Sequence, residues 1–179
     1  MSARVADASG TDVVAARGRQ APEPGGRRAG RNRRLGALKP NRSIPSSSVI
    51  PVLVYPDVRA AVEWLEAAFG FAERVQIGDD HRSQLRVGDG AVIVGDVRGD
   101  RRPPRRGEET HAVMVRVEDA RAHCDRARAH GARILMEPTD FEYGERQYTA
   151  EDPAGHRWTF SETLRDVAPE EWGGVTRAS

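Results

Sequence analysis

Residues 52–71 read VLVYPDVRAAVEWLEAAFGF, and this stretch decides the fold. A β-branched and aromatic run over 48–55 predicts a strand. Asp57 then stands at a helix N-cap position, and apolar residues recur every three or four positions until Gly70, which predicts an amphipathic helix. Strand-like stretches follow at 72–77, 82–87 and 91–97. The unit is therefore predicted as β-α-β-β-β.

The same order of elements returns after a linker at 98–109. Residues 111–117 predict a strand, Asp119 opens a second helix that Gly131 ends, and further strands are predicted at 132–137, 146–150 and up to Glu162. A shift of 61 residues lays Val52, Val54 and Gly70 on Val113, Val115 and Gly131. This duplication predicts an α+β fold of two tandem βαβββ modules that form a curved mixed sheet around a cleft.

Charge divides the chain into a basic tail and an acidic body. Residues 1–44 contain ten Lys or Arg against three acidic residues, whereas 45–179 contain eighteen basic and twenty-four acidic residues. No aromatic residue interleaves the arginines to stack on a base, so we favour a disordered extension over a nucleic-acid-binding arm. The predicted segments are a tail at 1–46, one domain at 47–165 with modules at 48–97 and 110–164, and a C-terminal tail at 166–179.

The sequence predicts no membrane span, no secretory signal and no intrachain disulfide. The sequence has no run of 18 apolar residues and no secretory signal pattern, so we expect a cytoplasmic protein without a membrane span. Cys124 is the only cysteine, which excludes an intrachain disulfide.

Four motifs together resemble the vicinal-oxygen-chelate superfamily of glyoxalases, bleomycin resistance proteins and extradiol dioxygenases. They are residues 52–71, the hairpin GDGAVIVGD at 88–96, HAVMVRVEDARAHCDRARAHGARI at 111–134, and YGERQYTAEDPAGHRWTF at 143–160. Within the superfamily they are similar to the PhnB-like and bleomycin-resistance-like branch. The resemblance implies the two-module fold around a cleft, and a homodimer with two-fold symmetry.

Metal-dependent members of the superfamily carry four ligand positions, on the first and last strand of each module. In this sequence the resemblance places them at Ile50, Val94, Ala112 and Thr159. Three of these side chains have no lone pair, and one neutral hydroxyl does not make a metal site. We therefore expect no metal and no cofactor. We assign His111 to a strand edge and expect His123 at an exposed helix position.

Alternation along the strands, counted from these four positions, predicts which side chains face the cleft. It turns Val92 inward with Val94, and Leu85 and Val87 toward the helix. The YGERQY loop adds an aromatic and charged rim, which is typical of sites for planar or cationic organic ligands. Packing of Tyr148 inside the sheet is an equal alternative for that residue. The predicted ligand-binding residues are Val54, Gln84, Arg86, Asp96, Met114, Arg116, Tyr143, Arg146, Tyr148 and Arg157.

These expectations favour a metal-independent protein that binds or sequesters a small organic molecule. The acidic body favours cationic ligands through long-range attraction. The alternative is a glyoxalase-like lyase or isomerase, or a dioxygenase-type enzyme. Asp96, Glu145 and Tyr148 are then acid or base candidates, but no pair has a diagnostic spacing, so the catalytic residues stay unassigned. The third hypothesis is a purely structural or interaction module.

Overall fold

The computed structural model describes residues 39–105 and 107–176. The chain divides into two units, Met1–Lys39 and Pro40–Ser179, and everything below concerns the second. Residues 1–38, which make up most of the predicted basic tail, lie outside the described residues. Within the described ranges, no helix combines the length and the apolar composition that a bilayer crossing requires.

Two modules with the same order of elements follow each other along the chain. Module one consists of β1 (Val52–Tyr55), α1 (Val58–Phe69), β2 (Ala72–Ile77), β3 (Arg82–Val87) and β4 (Gly90–Asp96). Module two consists of β5 (Val113–Arg116), α2 (Ala120–Ala129), β6 (Arg133–Asp140), β7 (Glu145–Glu151) and β8 (Arg157–Thr163). A short 3-10 helix at Pro169–Trp172 follows. This order confirms the predicted α+β fold of two βαβββ modules.

Each module forms its own four-stranded mixed sheet. The strand orders are β1-β4-β3-β2 and β5-β8-β7-β6, so the two sheets repeat one topology. The first and last strands of each module are parallel neighbours, and the remaining pairs are antiparallel. Strand β5 is shorter than predicted and begins at Val113, which leaves His111 exposed ahead of the strand.

Side-chain caps determine where both helices begin. The Asp57 carboxylate accepts a hydrogen bond from the Ala60 N–H at 2.8 Å. Asp119 caps α2 in the same way, through the N–H groups of Arg121 and Ala122. An acceptor at this position satisfies N–H groups that have no partner inside the helix. The caps therefore fix the first residues of each helix.

One hydrophobic core joins the two modules. Phe69, at the end of α1, packs on Trp158 and Phe160 of β8, with ring centroids 5.6 Å and 4.7 Å apart. Trp64 of α1 donates a hydrogen bond from Nε1 to the His130 carbonyl at 2.7 Å. The helix-covered faces of both sheets contribute to this core, and Trp158 and Phe160 are fully buried.

A buried carboxylate also links the modules. Asp152 Oδ2 accepts hydrogen bonds from the Tyr55 hydroxyl at 2.6 Å and from Trp158 Nε1 at 3.0 Å. Its Oδ1 accepts from the backbone N–H groups of Ala154 and His156, each at 3.0 Å. Tyr55 belongs to module one and the other donors to module two. Four hydrogen bonds compensate for the cost of burying this carboxylate.

His123 is not at an exposed helix position, and that prediction was wrong. Its Nε2 lies 3.0 Å from the Phe69 carbonyl oxygen, so Nε2 carries the proton and donates it. Nδ1 then accepts a hydrogen bond from the Tyr148 hydroxyl at 2.5 Å. Burial lowers the pKa of His123 below its ordinary value of 6.5, which favours the neutral ring in the folded protein.

The lowered pKa of His123 predicts a loss of stability in mild acid. Between pH 6.5 and the lowered pKa of the folded state, the unfolded chain binds a proton at this site more readily than the folded chain, so the free energy of unfolding falls as the pH falls. At pH 7.5, His123→Gln should lower the free energy of unfolding by about 1–2 kcal/mol, because it breaks two hydrogen bonds. We expect that difference from the wild type to shrink between pH 7.5 and 5.5.

Urea unfolding across this pH range measures the effect. His130→Gln is the matched control, because His130 is exposed at the end of α2. A wild-type-to-His123→Gln difference that stays constant with pH would show that the His123 ring does not lose its proton on folding.

Candidate ligand-binding face

Each sheet has one helix-covered face and one open face, and the register of the strands decides which side chains lie on each. On module one the open face carries Val52, Val54, Gln84, Arg86, Ala91 and Ile93. On module two it carries Met114, Arg116, Glu145, Gln147, Thr149, Arg157, Thr159 and Ser161. The residues that alternate with them, such as Leu53, Leu85, Val94, Tyr148 and Phe160, belong to the core. Met114 is 59% exposed whereas Ser161 and Gln147 on the same face are buried, so part of the open face of module two is accessible in the single chain.

The register predicted for β4 was wrong by one residue. Val92 and Val94 are buried in the core and do not face the cleft, whereas Ala91 and Ile93 lie on the open face. Leu85 pairs directly with Val92, and residues directly opposite each other in a sheet share a face. Because Leu85 was predicted on the helix-covered face, its partner Val92 should have been predicted on that face too.

Tyr148 and Arg146 also lie on the helix-covered side. Tyr148 is fully buried and stacks on Phe160 with centroids 5.0 Å apart, so the alternative of packing inside the sheet is correct for it. Arg146 Nε donates to Asp140 Oδ1 at 2.5 Å, and its Nη1 lies 3.7 Å from Glu162. Side chains alternate along β7, so Glu145 and Gln147 lie on the open face and Arg146 and Tyr148 lie on the opposite one.

The open face of module one is partly covered by residues 41–47, here called the leading segment. Gln84 Nε2 donates to the Ser43 carbonyl at 2.9 Å, and Arg74 Nη2 donates to the Arg42 carbonyl at 2.6 Å. Pro45 is buried, and Gln84 is only 4% exposed. The predicted ligand-binding amide of Gln84 therefore binds the chain itself.

A pocket of ≈ 330 Å³ lies at the end of the open face of module two. Two predicted ligand-binding residues, Arg116 and Tyr143, meet there. Residues 164–172, here called the trailing segment, form the opposite wall. The polar and aromatic lining of the pocket includes Arg116, Tyr143, Glu145, Arg165, Asp166 and Trp172.

The trailing segment is held against the loop before β7. The N–H groups of Leu164 and Arg165 both donate to the Gly144 carbonyl, at 2.8 Å and 3.2 Å. Arg165 Nη2 also donates to the Glu142 carbonyl at 3.2 Å. A Cβ built on Gly144 would overlap the Arg165 carbonyl oxygen and lie 2.7 Å from Val167 Cγ2. The glycine therefore lets the segment approach closely enough to form one wall of the pocket.

Hydrogen bonds keep one carboxylate of the pocket ionised. Glu145 Oε2 accepts from the Ser161 hydroxyl at 2.6 Å and from Gln147 Nε2 at 2.7 Å. These bonds, first that of Ser161, lower the pKa of Glu145. Arg116 lies close enough to lower it further, and its Nη2 donates to Thr163 Oγ1 at 3.0 Å. The pocket thus combines a carboxylate, a guanidinium and aromatic rings.

The remaining predicted residues lie elsewhere. Asp96, at the end of β4, contacts His81 Nδ1 at 3.1 Å and Arg98 at 3.4 Å. Arg157 lies 3.3 Å from Glu109 of the linker. Met114 borders a separate groove of ≈ 290 Å³ between β5 and the β3–β4 turn. Val54 is buried on the open face of module one, and Arg86 is exposed there.

The pocket residues missed from the sequence include Trp172 and Arg165 of the trailing segment. Neither has a counterpart in the other module, so the repeat gives no information about them. One available signal was Trp172 itself, since the chain has three tryptophans and this one stands in a stretch predicted to be a tail.

Two βαβββ modules with one helix each and paired first and last strands define the vicinal-oxygen-chelate class of fold. The chain belongs to the glyoxalase/bleomycin resistance protein/dioxygenase superfamily, whose family model matches residues 49–160. The leading and trailing segments lie outside that match.

Two solved bacterial structures share this fold, and a further bacterial protein matches this chain in sequence. TioX from Micromonospora sp. ML1 is 32% identical over 66% of this chain and 100% of its own, with a TM-score of 0.56. A glyoxalase/bleomycin resistance protein from Streptomyces sp. CB03234 is 20% identical over 65% of this chain and 100% of its own, with a TM-score of 0.52. The uncharacterized protein Mb0911c of Mycobacterium bovis is 27% identical over 68% of this chain and 86% of its own.

The metal positions of the superfamily do not fit a metal in this chain. Ile50 and Ala112 have no side-chain donor atom. Val94 lies in the core, and Ile93 and Gly95, its neighbours on the open face of β4, have no side-chain donor either. Thr159 contributes one hydroxyl, which lies 3.3 Å from that of Thr149. In the part of the chain that the structure describes, no three His, Cys, Asp or Glu side chains converge as metal ligands do.

Proposed function

We propose that this protein binds a small organic molecule, without a metal, in the pocket on the open face of module two. The observation that carries the proposal is the pocket itself, where Arg116, Glu145, Tyr143 and Trp172 surround a volume of ≈ 330 Å³. Ligand sites in proteins commonly have this size and combine apolar walls with a few oriented polar groups. The superfamily includes both enzymes and resistance proteins, so its name alone does not decide between catalysis and binding.

We further propose that the protein works as a homodimer. Exposed apolar side chains on the two open faces support this, with Val52 45% and Met114 59% exposed. A symmetric pair would cover such side chains on both copies. Light scattering coupled to size-exclusion chromatography measures the mass in solution. The assignment to the PhnB-like branch and the cytoplasmic location stay predictions from the sequence.

A thermal-shift screen with elemental analysis tests the binding proposal. Full-length protein is dialysed against EDTA and screened with small organic molecules, in the absence and presence of Ni²⁺, Zn²⁺, Mn²⁺ or Fe²⁺. A ligand at one hundred times its Kd should raise the Tm by about 5 °C or more without metal. Trp172→Ala should abolish the shift, and Arg121→Ala, an exposed change on α2, should not. Stoichiometric metal in the purified protein before dialysis, or stabilisation that requires a metal, would favour the enzyme alternative.

A further inference from the structure

The pocket presents charges of both signs beside two aromatic rings. Glu145 and Asp166 contribute carboxylates, and Arg116 and Arg165 contribute guanidiniums. A ligand with a single charge would meet a like charge in this pocket whichever sign it carried. A ligand with both charges could place each beside its opposite.

The aromatic rings form one wall with a fixed geometry. Tyr143 and Trp172 have ring centroids 5.6 Å apart and planes inclined by 58°. Phe141 stacks behind Tyr143 at 5.1 Å and 15°, which holds that ring in place. Two inclined ring faces attract an organic ammonium group through their negative π surfaces, and tryptophan attracts most strongly.

The Glu145 carboxylate adds a full negative charge on the same side. Its Oε2 accepts two hydrogen bonds, whereas Oε1 accepts none from the residues that the structure describes. The lowered pKa of Glu145 keeps the group ionised at neutral pH. A carboxylate with one oxygen unused, next to two aromatic rings, suits a cationic nitrogen.

The two guanidiniums supply the opposite charge. Arg116 donates one hydrogen bond, to Thr163, and Arg165 donates one side-chain hydrogen bond, to the Glu142 carbonyl, among the described residues. Each guanidinium has five N–H donors, so both keep donors for a ligand. Guanidinium groups match carboxylates in shape and can bind them through two parallel hydrogen bonds.

We propose that the pocket recognises a zwitterion, a small organic molecule that carries an ammonium and a carboxylate a few atoms apart. The ammonium lies against the wall of Tyr143 and Trp172, beside Glu145, and the carboxylate binds Arg116 and Arg165. The trailing segment thus supplies half of the recognition, although it lies outside the family match. This inference rests on the proposed function, because it assigns the ligand class of the same pocket.

Three probes of nearly equal shape test it by titration calorimetry on the full-length protein. Glycine betaine carries both charges, choline lacks the carboxylate, and 3,3-dimethylbutanoate replaces the cationic nitrogen by carbon. We expect betaine to bind at least about tenfold more tightly than either of the others, which corresponds to about 1.4 kcal/mol. Glu145→Gln should remove the preference over dimethylbutanoate, and Arg116→Gln the preference over choline. Arg121→Ala should change neither.

Each other outcome overturns the inference in a distinguishable way. Choline binding as tightly as betaine would define a cation site, and dimethylbutanoate doing so would define an anion site. Another outcome is that a compound from the thermal screen binds although none of the three probes does, and that Trp172→Ala abolishes this binding. In that case the zwitterion proposal is wrong and the proposed binding function is supported. If nothing binds in either experiment, both proposals fail.

Discussion

Asp152→Asn should lower the free energy of unfolding by about 3 kcal/mol or more. The Asp152 carboxylate is 3% exposed and accepts four hydrogen bonds, two at each oxygen. An asparagine in the same place presents an NH₂ group to two of these donors, whichever way the amide is turned. Two buried donors then lose their acceptor. Burial, and next the nearby carboxylate, raises the pKa of Tyr55 well above its ordinary value, so its hydroxyl stays a donor.

Asp125→Asn is the matched control, because it makes the same chemical change on an exposed surface. The Asp125 side chain is 76% exposed and pairs with Arg128 at 2.8 Å. We expect that variant to change the free energy of unfolding by less than about 0.5 kcal/mol. Urea unfolding at pH 7.5 compares the two. A loss below about 1 kcal/mol in Asp152→Asn would contradict the four-bond network.

Gly144→Ala should cost about 3 kcal/mol and Gly131→Ala about 1 kcal/mol. Both glycines have a φ of 83°, so alanine is strained equally at both. They differ in their surroundings, because a Cβ at Gly131 meets nothing within 4 Å, whereas one at Gly144 meets the backbone of the trailing segment. The difference between the two variants therefore isolates the packing of that segment.

The same pair of variants separates pocket closure from general stability. If the trailing segment moves away in Gly144→Ala, Trp172 leaves Tyr143, and its fluorescence should shift to longer wavelength in the folded protein. Ligand binding in the pocket should then be lost, although both sheets remain folded. Gly131→Ala should keep both the emission and the binding. Equal unfolding energies in the two variants would show that the segment is not packed as described.

The fold could be predicted from the sequence because its signals are local and repeated. Asp57 and Asp119 mark where the helices begin, and Gly70 and Gly131 mark where they end. The predicted shift of 61 residues is one residue short, because 62 residues relate Asp57 to Asp119 and the open-face Val52 to the open-face Met114. Such signals depend on hydrogen bonds and backbone angles within a few residues, so one sequence is enough to detect them.

The candidate site was harder to predict because it depends on contacts between distant segments. Arg116 and Tyr143 were found from alternation and from the loop composition. The error at Val92 came from counting β4 alone, whereas its pairing with Leu85 determines the face. His123 looked like a surface residue on a polar helix, and only the approach of Phe69 and Tyr148 gives it partners. Trp172 and Arg165 reach the pocket because the trailing segment packs on the loop at Gly144, a contact that no periodic pattern encodes.

The leading segment means that the boundary of the family and the boundary of the folded body differ in this chain. A fragment that begins at residue 49, where the family match starts, lacks the carbonyls of Arg42 and Ser43 that Arg74 and Gln84 bind. It also lacks Pro45, which is buried in the complete chain. Such a fragment would expose polar groups and apolar surface of module one that the natural chain covers for itself. Its solubility and self-association would therefore reflect the surface exposed by truncation and not the properties of the complete chain.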